Sequence, residues 1–225
     1  MTKVMAHGGS RMQSKYPTER FDDMASDYDQ TVSEWDGFPF DDYNTVLDAV
    51  VQEAGVQKRM AVLDLGIGTG NLAVRFVECQ CDVWGIDFSE KMLAEAQKKL
   101  PGVHLIQADL LGEWPGIDRR FHRVVSSFAF HHFDLSTKVR LLQKIATEYL
   151  ISEGRIVIAD IAFETRQERD EAKTRFRLDW DDTEYYWSAD KAIEELTGLG
   201  LACRYKQVSA CGGVFTVTSG DRRSS

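Results

Sequence analysis

From position 61 onward, short runs of apolar and β-branched residues alternate with stretches whose apolar positions recur at helical spacing. That rhythm predicts parallel strands joined by crossover helices. The first strand is placed at 61–65. Residues 71–78 then offer Leu72, Ala73, Phe76 and Val77 to one helical face, which predicts a helix packed on the sheet. Strands at 82–86 and 103–107 bracket a helix with Ser89 as N-cap and Met92, Leu93, Ala96 and Leu100 at core spacing, ended by Pro101-Gly102. Strand four falls at 123–127 and strand five at 155–160. Between them Ser136 reads as the cap of a helix carrying Val139, Leu142, Ile145, Ala146 and Tyr149.

Beyond Phe163 the pattern changes. A charged, helix-prone stretch, 163–188, ends in Asp181-Asp182-Thr183-Glu184-Tyr185-Tyr186-Trp187 and is expected to be an insertion over the site. A Ser188-capped helix with Ile193, Leu196 and Leu199 follows, and two extended segments, 201–208 and 213–218, are expected to close the chain as a hairpin. Upstream, residues 21–58 form a cap whose first half is rich in aromatics, and residues 1–20 are polar and expected to be partly disordered. Residues 21–225 thus read as a single domain without internal repeats.

Composition narrows the function classes. With 43 % hydrophobic and 28 % charged residues, the 225-residue chain lies in the ordinary globular range. No run approaches the roughly 18 apolar residues that span a bilayer, and the start lacks the apolar block of a signal peptide. A cytoplasmic protein without membrane contact is expected, and monomer and homodimer are both open. The net charge of -9 weighs against a nucleic-acid partner, whose phosphates are met largely by Lys and Arg. Cys79, Cys81, Cys203 and Cys211 are expected to be reduced thiols. Cys79 and Cys81 lack the spacing of a zinc pair, so no metal site is expected.

The strongest chemical signal is Val62-Leu63-Asp64-Leu65-Gly66-Ile67-Gly68-Thr69-Gly70-Asn71, where the first strand runs into a helix. A glycine-rich turn there lets a ligand approach the backbone, and Asp87 at the end of strand two is placed to receive ribose hydroxyls. Those two features alone also fit a nicotinamide dinucleotide enzyme. Two others separate the readings: Gly70 comes one residue early for the usual dinucleotide spacing, and Asp64 sits where a carboxylate would repel a pyrophosphate. A ligand carrying an ammonium and no phosphate suits an acidic loop.

Segment 64–70, Asp87 and Gln107-Ala108-Asp109-Leu110 together resemble the signature of class I S-adenosylmethionine (AdoMet)-dependent methyltransferases, over most of residues 21–218. The resemblance implies an α/β fold with a Rossmann-like, doubly wound, seven-stranded, mostly parallel sheet ending in an antiparallel hairpin, and AdoMet as cofactor. It implies that Asp64, Gly66, Gly68 and Gly70 border the methionyl part, that Asp87 binds the ribose and that Asp109 contacts the adenine amino group. Phe88 and Leu110 flank the two carboxylates, as an adenine sandwich would require, and Met92 and Ser126 complete the implied cofactor set. More narrowly, Phe21-Asp22-x-x-Ala25-x-x-Tyr28-Asp29, Ala129-Phe130-His131-His132, segment 159–164 and Thr183-Glu184-Tyr185-Tyr186 are similar to a group of small, uncharacterised bacterial methyltransferases, which implies that Tyr28 closes over AdoMet. Each residue also has a structural reading: Asp87 as a helix N-terminal charge, Asp109 as a turn cap, and Phe88, Leu110 and Tyr28 as packing.

Strand four ends in Ser126-Ser127-Phe128-Ala129-Phe130-His131-His132-Phe133, at the edge where open α/β folds bind ligands. A neutral imidazole there can take a proton from an acceptor, or it can bond a backbone carbonyl and shape the pocket. His131 is the catalytic candidate. Methyl transfer from a sulfonium depends mainly on alignment, which can contribute about 7–11 kcal/mol, so no nucleophile is required. The cap aromatics Phe21, Tyr28, Trp35, Phe38 and Phe40 suit water exclusion, and Asp181, Asp182 and Glu184 suit either a cationic acceptor or a solvated turn. The expected activity is methyl transfer to O, N or S of a small molecule, since strand four lacks the Asn-Pro-Pro-Tyr and Pro-Cys motifs of nucleic-acid methylation. A non-catalytic AdoMet-binding protein and a nicotinamide-dependent oxidoreductase are the alternatives.

Overall fold

A computed structural model describes residues 18–35 and 37–220. The stretch expected to be a loose tail, residues 1–20, lies outside them except for its end, which starts α1 (Thr18–Met24). There follow α2 (Tyr28–Glu34), α3 (Tyr43–Ala54), β1 (Ala61–Leu65), α4 (Ala73–Glu78), β2 (Asp82–Asp87), α5 (Glu90–Lys99), β3 (His104–Gln107) and β4 (Phe121–Ser127). The chain continues through α6 (Leu135–Lys144), β5 (Leu150–Phe163), α7 (Arg166–Arg175), β6 (Trp187–Ser188), α8 (Ala189–Gly198), β7 (Leu201–Gln207) and β8 (Gly212–Ser219). Among the described residues, no helix is long and apolar enough to cross a membrane.

Across the sheet the strands run β3-β2-β1-β4-β5-β8-β7, and the two-residue β6 pairs with the end of β5 off this path. Strands β1 to β5 pair in parallel, while β8 is antiparallel to both of its neighbours. The expected sheet and closing hairpin are therefore present. Winding proceeds outward from β1 through β2 to β3 on one side and from β4 to β5 on the other, which opens a crevice at the carboxyl ends of β1 and β4.

Both faces of the sheet are covered. Val62 of β1 packs in one layer with Val46, Leu47 and Val50 of α3 and Phe76 of α4. Leu63 and Leu65 pack in the opposite layer with Leu142 of α6 and Leu196 of α8. Burial on both sides explains why β1 reads as an almost unbroken apolar run. Asp64 breaks it, on the Val62 side by strand alternation.

Three local expectations are corrected. The α6 cap is Asp134, whose carboxylate accepts from Thr137 N at 2.8 Å, while the Ser136 hydroxyl donates to that same carboxylate at 2.9 Å. An extended residue with a charged acceptor at the chain's entry into the helix satisfies the orphan amide better than a hydroxyl already inside it. The expected helix also gives way to a π-helical turn over Ile145–Tyr149. Finally, β5 begins at Leu150 rather than 155: its pairing with β4 jumps from Phe121–Leu150 to Arg123–Arg155, so the polar residues between are accommodated as a bulge.

The cap and the insertion meet over the strand ends. Phe38 stacks on Phe176 and Trp180 at centroid distances of 4.8 and 5.7 Å, and Tyr186 meets it edge-on at 5.5 Å. A capping box between Thr165 and Glu168 starts α7 and so fixes where the insertion leaves the sheet. On the other side, Ser89 caps α5 by accepting from Met92 N at 3.1 Å and donates to Asp22 of α1 at 2.5 Å. Ser89→Ala removes both bonds; it is expected to cost about 1 kcal/mol and to lower the melting temperature by about 2–4 °C, measured by circular dichroism. An unchanged melting curve would show that the α1 contact contributes nothing.

Candidate active site

The crevice is a cleft at the carboxyl ends of β1 and β4, covered by the cap. Its floor is the loop after β1, from Gly66 to Thr69; Asp87 and Phe88 after β2, Met92 of α5, and Asp109 and Leu110 after β3 form one wall. The segment after β4, Ser127 to Ala129 with His132 and Phe133, forms the other, and Phe21, Tyr28 and Tyr43 come from the cap.

Sterics explain the floor. Gly66 has φ of 69°, and a Cβ there would lie 2.6 Å from Cβ of Ala129, so only glycine lets β1 and the β4 segment approach this closely. Gly70 serves packing instead, because a Cβ there would meet Leu100 at 2.9 Å; it is a contact with α5 and the segment that ends it rather than part of the cleft wall. Phe128 is a non-glycine residue with φ of 50°, a strained geometry held by its N–H bond to Ala159 O at 3.0 Å and by stacking on Tyr43 at 5.3 Å.

Charge then defines the cleft. Asp87 accepts from Gly68 N and Ser89 N, both at 2.9 Å. Burial nevertheless pushes its carboxyl up to about 6, against the pull of those backbone bonds. Asp64 is 1 % exposed, and neither of its carboxyl oxygens has a hydrogen-bond partner among the described residues. Burial, helped by the charge of Asp87, holds it well above the usual carboxylate range. Asp109 accepts from Leu111 N at 2.9 Å, which orders the turn after β3. Among the described residues, neither Lys nor Arg lines the cleft. These walls suit a ligand that brings positive charge, hydroxyls and a flat ring.

The roof is tied to the floor. Asp29 at the start of α2 accepts from the Thr69 hydroxyl and from Lys99, each at 2.5 Å, and Lys99 also donates to Asn71 at 2.7 Å. Phe21 of α1 stands edge-on to Phe88 at 5.1 Å and to His132 at 5.3 Å, joining the two walls.

The histidine pair is arranged differently from the expectation. His131 is buried behind the cleft, its Nδ1 2.7 Å from Asp160 Oδ1, and Asp160 in turn accepts from Trp187 Nε1 and Ile161 N, both at 2.9 Å. Burial pulls the His131 imidazole down, but the charge and hydrogen bond of Asp160, with Glu184 beyond, outweigh it and leave the pKa above its ordinary value. The imidazole on the cleft wall belongs to His132, in the 3-10 turn Phe130–His132, and meets the His131 ring edge-on at 4.1 Å. Glu184 Oε1 lies 3.9 Å from His131 Nε2 and 3.9 Å from His132 Nδ1.

Ser126 is likewise off the wall. Its hydroxyl donates to Leu65 O at 2.6 Å, and Ser127 lines the cleft instead. Of the residues singled out from the sequence, the structure thus gathers Tyr28, Gly66, Gly68, Asp87, Phe88, Met92, Asp109 and Leu110 around one cleft, with Asp64 beneath its loop and Gly70, Ser126 and His131 turned elsewhere. Sequence reasoning missed Ser127, Phe128, His132 and the approach of Glu184. Only the alternation along strand four carried a usable signal, since neighbouring serines must face opposite sides.

Residues 62–148 match a family described as a methyltransferase domain. The chain is 34 % identical over 198 residues to the uncharacterised methyltransferase YrrT of Bacillus subtilis, an alignment covering 83 % of this chain and 90 % of that protein. Among solved structures, it resembles a DhpI–SAH complex with a TM-score of 0.68 at 23 % identity, covering 91 % of this chain and 96 % of the other. It also resembles magnesium protoporphyrin IX methyltransferase (ChlM) from Synechocystis PCC 6803 with bound SAH, with a TM-score of 0.67 at 17 % identity, covering 89 % and 96 %.

The buried Asp64 generates a stability prediction. A carboxyl whose folded pKa is raised penalises the folded state once ionised, so the penalty is absent below the unfolded value near 3.9 and grows as pH rises toward the folded one. Asp64→Asn cannot ionise. Its melting temperature is expected to fall less steeply than the parent's as pH rises above about 4, the ordinary carboxyl value, toward the raised one. Parallel curves would mean that the fold does not raise the Asp64 carboxyl.

Proposed function

We propose a small-molecule methyl acceptor, bonded through O, N or S, for this chain, which belongs to the AdoMet-dependent methyltransferase family and uses AdoMet as its cofactor. The observation that carries the proposal is the cleft's composition. Carboxylates stand at the ends of β2 and β3, a third carboxyl lies beneath the glycine loop, and no described lining residue is Lys or Arg. A polyphosphate backbone would find only repulsion there. The roof of α1, α2 and the aromatic cover favours a compact acceptor over a polymer.

The residues fit the cofactor. Asp64 is an acid without a partner, held out of water, where an ammonium nearby would supply the missing countercharge. Asp87 keeps lone pairs free beyond the two that Gly68 and Ser89 occupy, enough for ribose hydroxyls. Asp109 is assigned the adenine amino group, with Phe88, Met92 and Leu110 as the apolar faces for the ring. Gly66 and Gly68 let the methionyl part approach backbone, and Tyr28 closes over it. When bound, AdoMet supplies a methyl group already activated on a sulfonium. The chain's part is to align the acceptor and exclude water. At the acceptor end His132 presents its imidazole beside Phe21 and Phe133, backed by Glu184 and the His131–Asp160 pair. This arrangement moves the candidate for contact with the acceptor from His131 to His132.

The direct test is incubation with methyl-labelled AdoMet and a metabolite extract, followed by mass spectrometry. Label is expected in a small molecule; label confined to protein or nucleic acid would overturn the acceptor class, and AdoMet binding without any transfer would favour a non-catalytic binder. The cofactor assignments are tested separately by calorimetry. Asp87→Ala is expected to weaken AdoMet binding more than about tenfold, as loss of charge-assisted hydrogen bonds implies. Because the Asp87 carboxyl sits at about 6, its accepting form is lost as pH falls. Parent affinity should therefore drop about tenfold from pH 7 to 5, and the drop should be smaller in Asp87→Ala. A flat parent profile would remove Asp87 from the ribose role.

A further inference from the structure

We propose that His131, His132 and Glu184 bind a divalent first-row transition ion at the acceptor end of the cleft. The inference goes beyond the methyl-transfer reading and stands without it. One ligand atom from each of the three side chains can be chosen so that all lie within 4.8 Å of one another. The Glu184 oxygen is 3.9 Å from one nitrogen of each imidazole. That gap is too wide for a hydrogen bond, which closes at about 3.2 Å. It is shorter than two metal–ligand bonds end to end, about 4.1–4.3 Å. Tetrahedral ligation would draw the atoms to about 3.4 Å apart, a side-chain adjustment of roughly 1 Å.

The surroundings match those of a ligating histidine. His131 holds Nδ1 against Asp160, so Nε2 is the nitrogen aimed at Glu184. Asp160 is itself fixed by Trp187 Nε1 and Ile161 N. A carboxylate behind the imidazole, secured by further bonds, is the outer shell that orients a metal-bound histidine and raises its basicity. Glu184 is brought in by the insertion, whose position is set by the Tyr185 N–H bond to His131 O at 2.7 Å.

Charge points the same way. Asp160 and Glu184 place two carboxylates in or beside the cluster, with side chains 0 % and 10 % exposed. Among the described residues, Lys138 is engaged elsewhere: it donates to Tyr185 O and lies 4.0 Å over the Trp187 ring. Two imidazoles and one carboxylate favour Zn²⁺, Fe²⁺ or Co²⁺ over Mg²⁺, and three protein ligands leave open positions. His132 lies on the cleft wall. An open position there would face the acceptor, whose O, N or S atom the ion would hold and acidify.

The test uses the full chain, freed of metal by a chelator, in a Cys79→Ser, Cys81→Ser background so that thiolates do not compete. Titration with Co²⁺ is followed by visible absorption, and AdoMet binding is measured separately by calorimetry. One equivalent of Co²⁺ is expected, displaced by Zn²⁺ and not by Mg²⁺. His132→Ala and Glu184→Gln, both checked for an unchanged metal-free melting curve, are each expected to weaken it at least about tenfold. Asp160→Asn, which touches only the outer shell, should weaken it by a similar factor. No uptake by the parent, or equal uptake by His132→Ala and Glu184→Gln, overturns the site. Co²⁺ uptake of the expected pattern in a chain that fails to bind AdoMet would support the ion site while removing the methyl-transfer reading.

Discussion

The structure depends on keeping carboxylates out of water at the point where the sheet reverses its winding. Asp64 stands one residue before the end of an otherwise apolar strand and Asp87 ends its neighbour, close enough for the Asp87 charge to push the Asp64 carboxyl up. An isolated carboxyl gains nothing from burial, so this arrangement is destabilising by itself. It persists because both flanking layers are packed on continuous apolar faces and because backbone amides of the glycine loop and of the turn before α5 satisfy Asp87. The positive-φ glycine that brings β1 against Ala129 belongs to the same device: it closes the loop around the acids. A cationic ligand bound beside these acids would offset that cost.

The cover follows from a second constraint. A cleft that must exclude water cannot be roofed by the sheet itself, so two segments far apart in sequence are joined above it. Phe38 from the cap and Phe176, Trp180 and Tyr186 from the insertion share one aromatic cluster. Asp29 links that cap to the floor through Thr69 and Lys99. These links are polar and partly exposed, whereas the aromatic cluster is apolar.

How much of this was legible in the sequence depended on range. Strands β1 to β5 could be read largely from short apolar and β-branched stretches, and the glycine loop with Asp87 and Asp109 could be read because each lies within a few residues of a strand end. The start of β5 could not: Ser152, Glu153 and Gly154 look like a turn, and only pairing across a bulge makes them strand. Asp134 displaced Ser136 as a cap because the helix begins two residues earlier than its apolar pattern suggested. The order of the histidines was hidden for a different reason. A single 3-10 turn decides which of two adjacent rings faces the cleft, and propensity does not distinguish them.

Glu184 marks the boundary of what local patterns reveal. Its sequence neighbours, Asp181 to Tyr186, read equally as a solvated turn or an acidic patch. Its meaning comes from the Tyr185 amide, which binds the carbonyl of His131 and so brings the insertion against the turn after β4. That one backbone bond joins the insertion between β5 and α8 to the turn that follows a central strand. The floor of the cleft is set by sterics and charge on β1 and β2, and is indifferent to what lies above. From the insertion, Glu184 approaches the cleft behind His132, while the glycine loop and its acids are built without it.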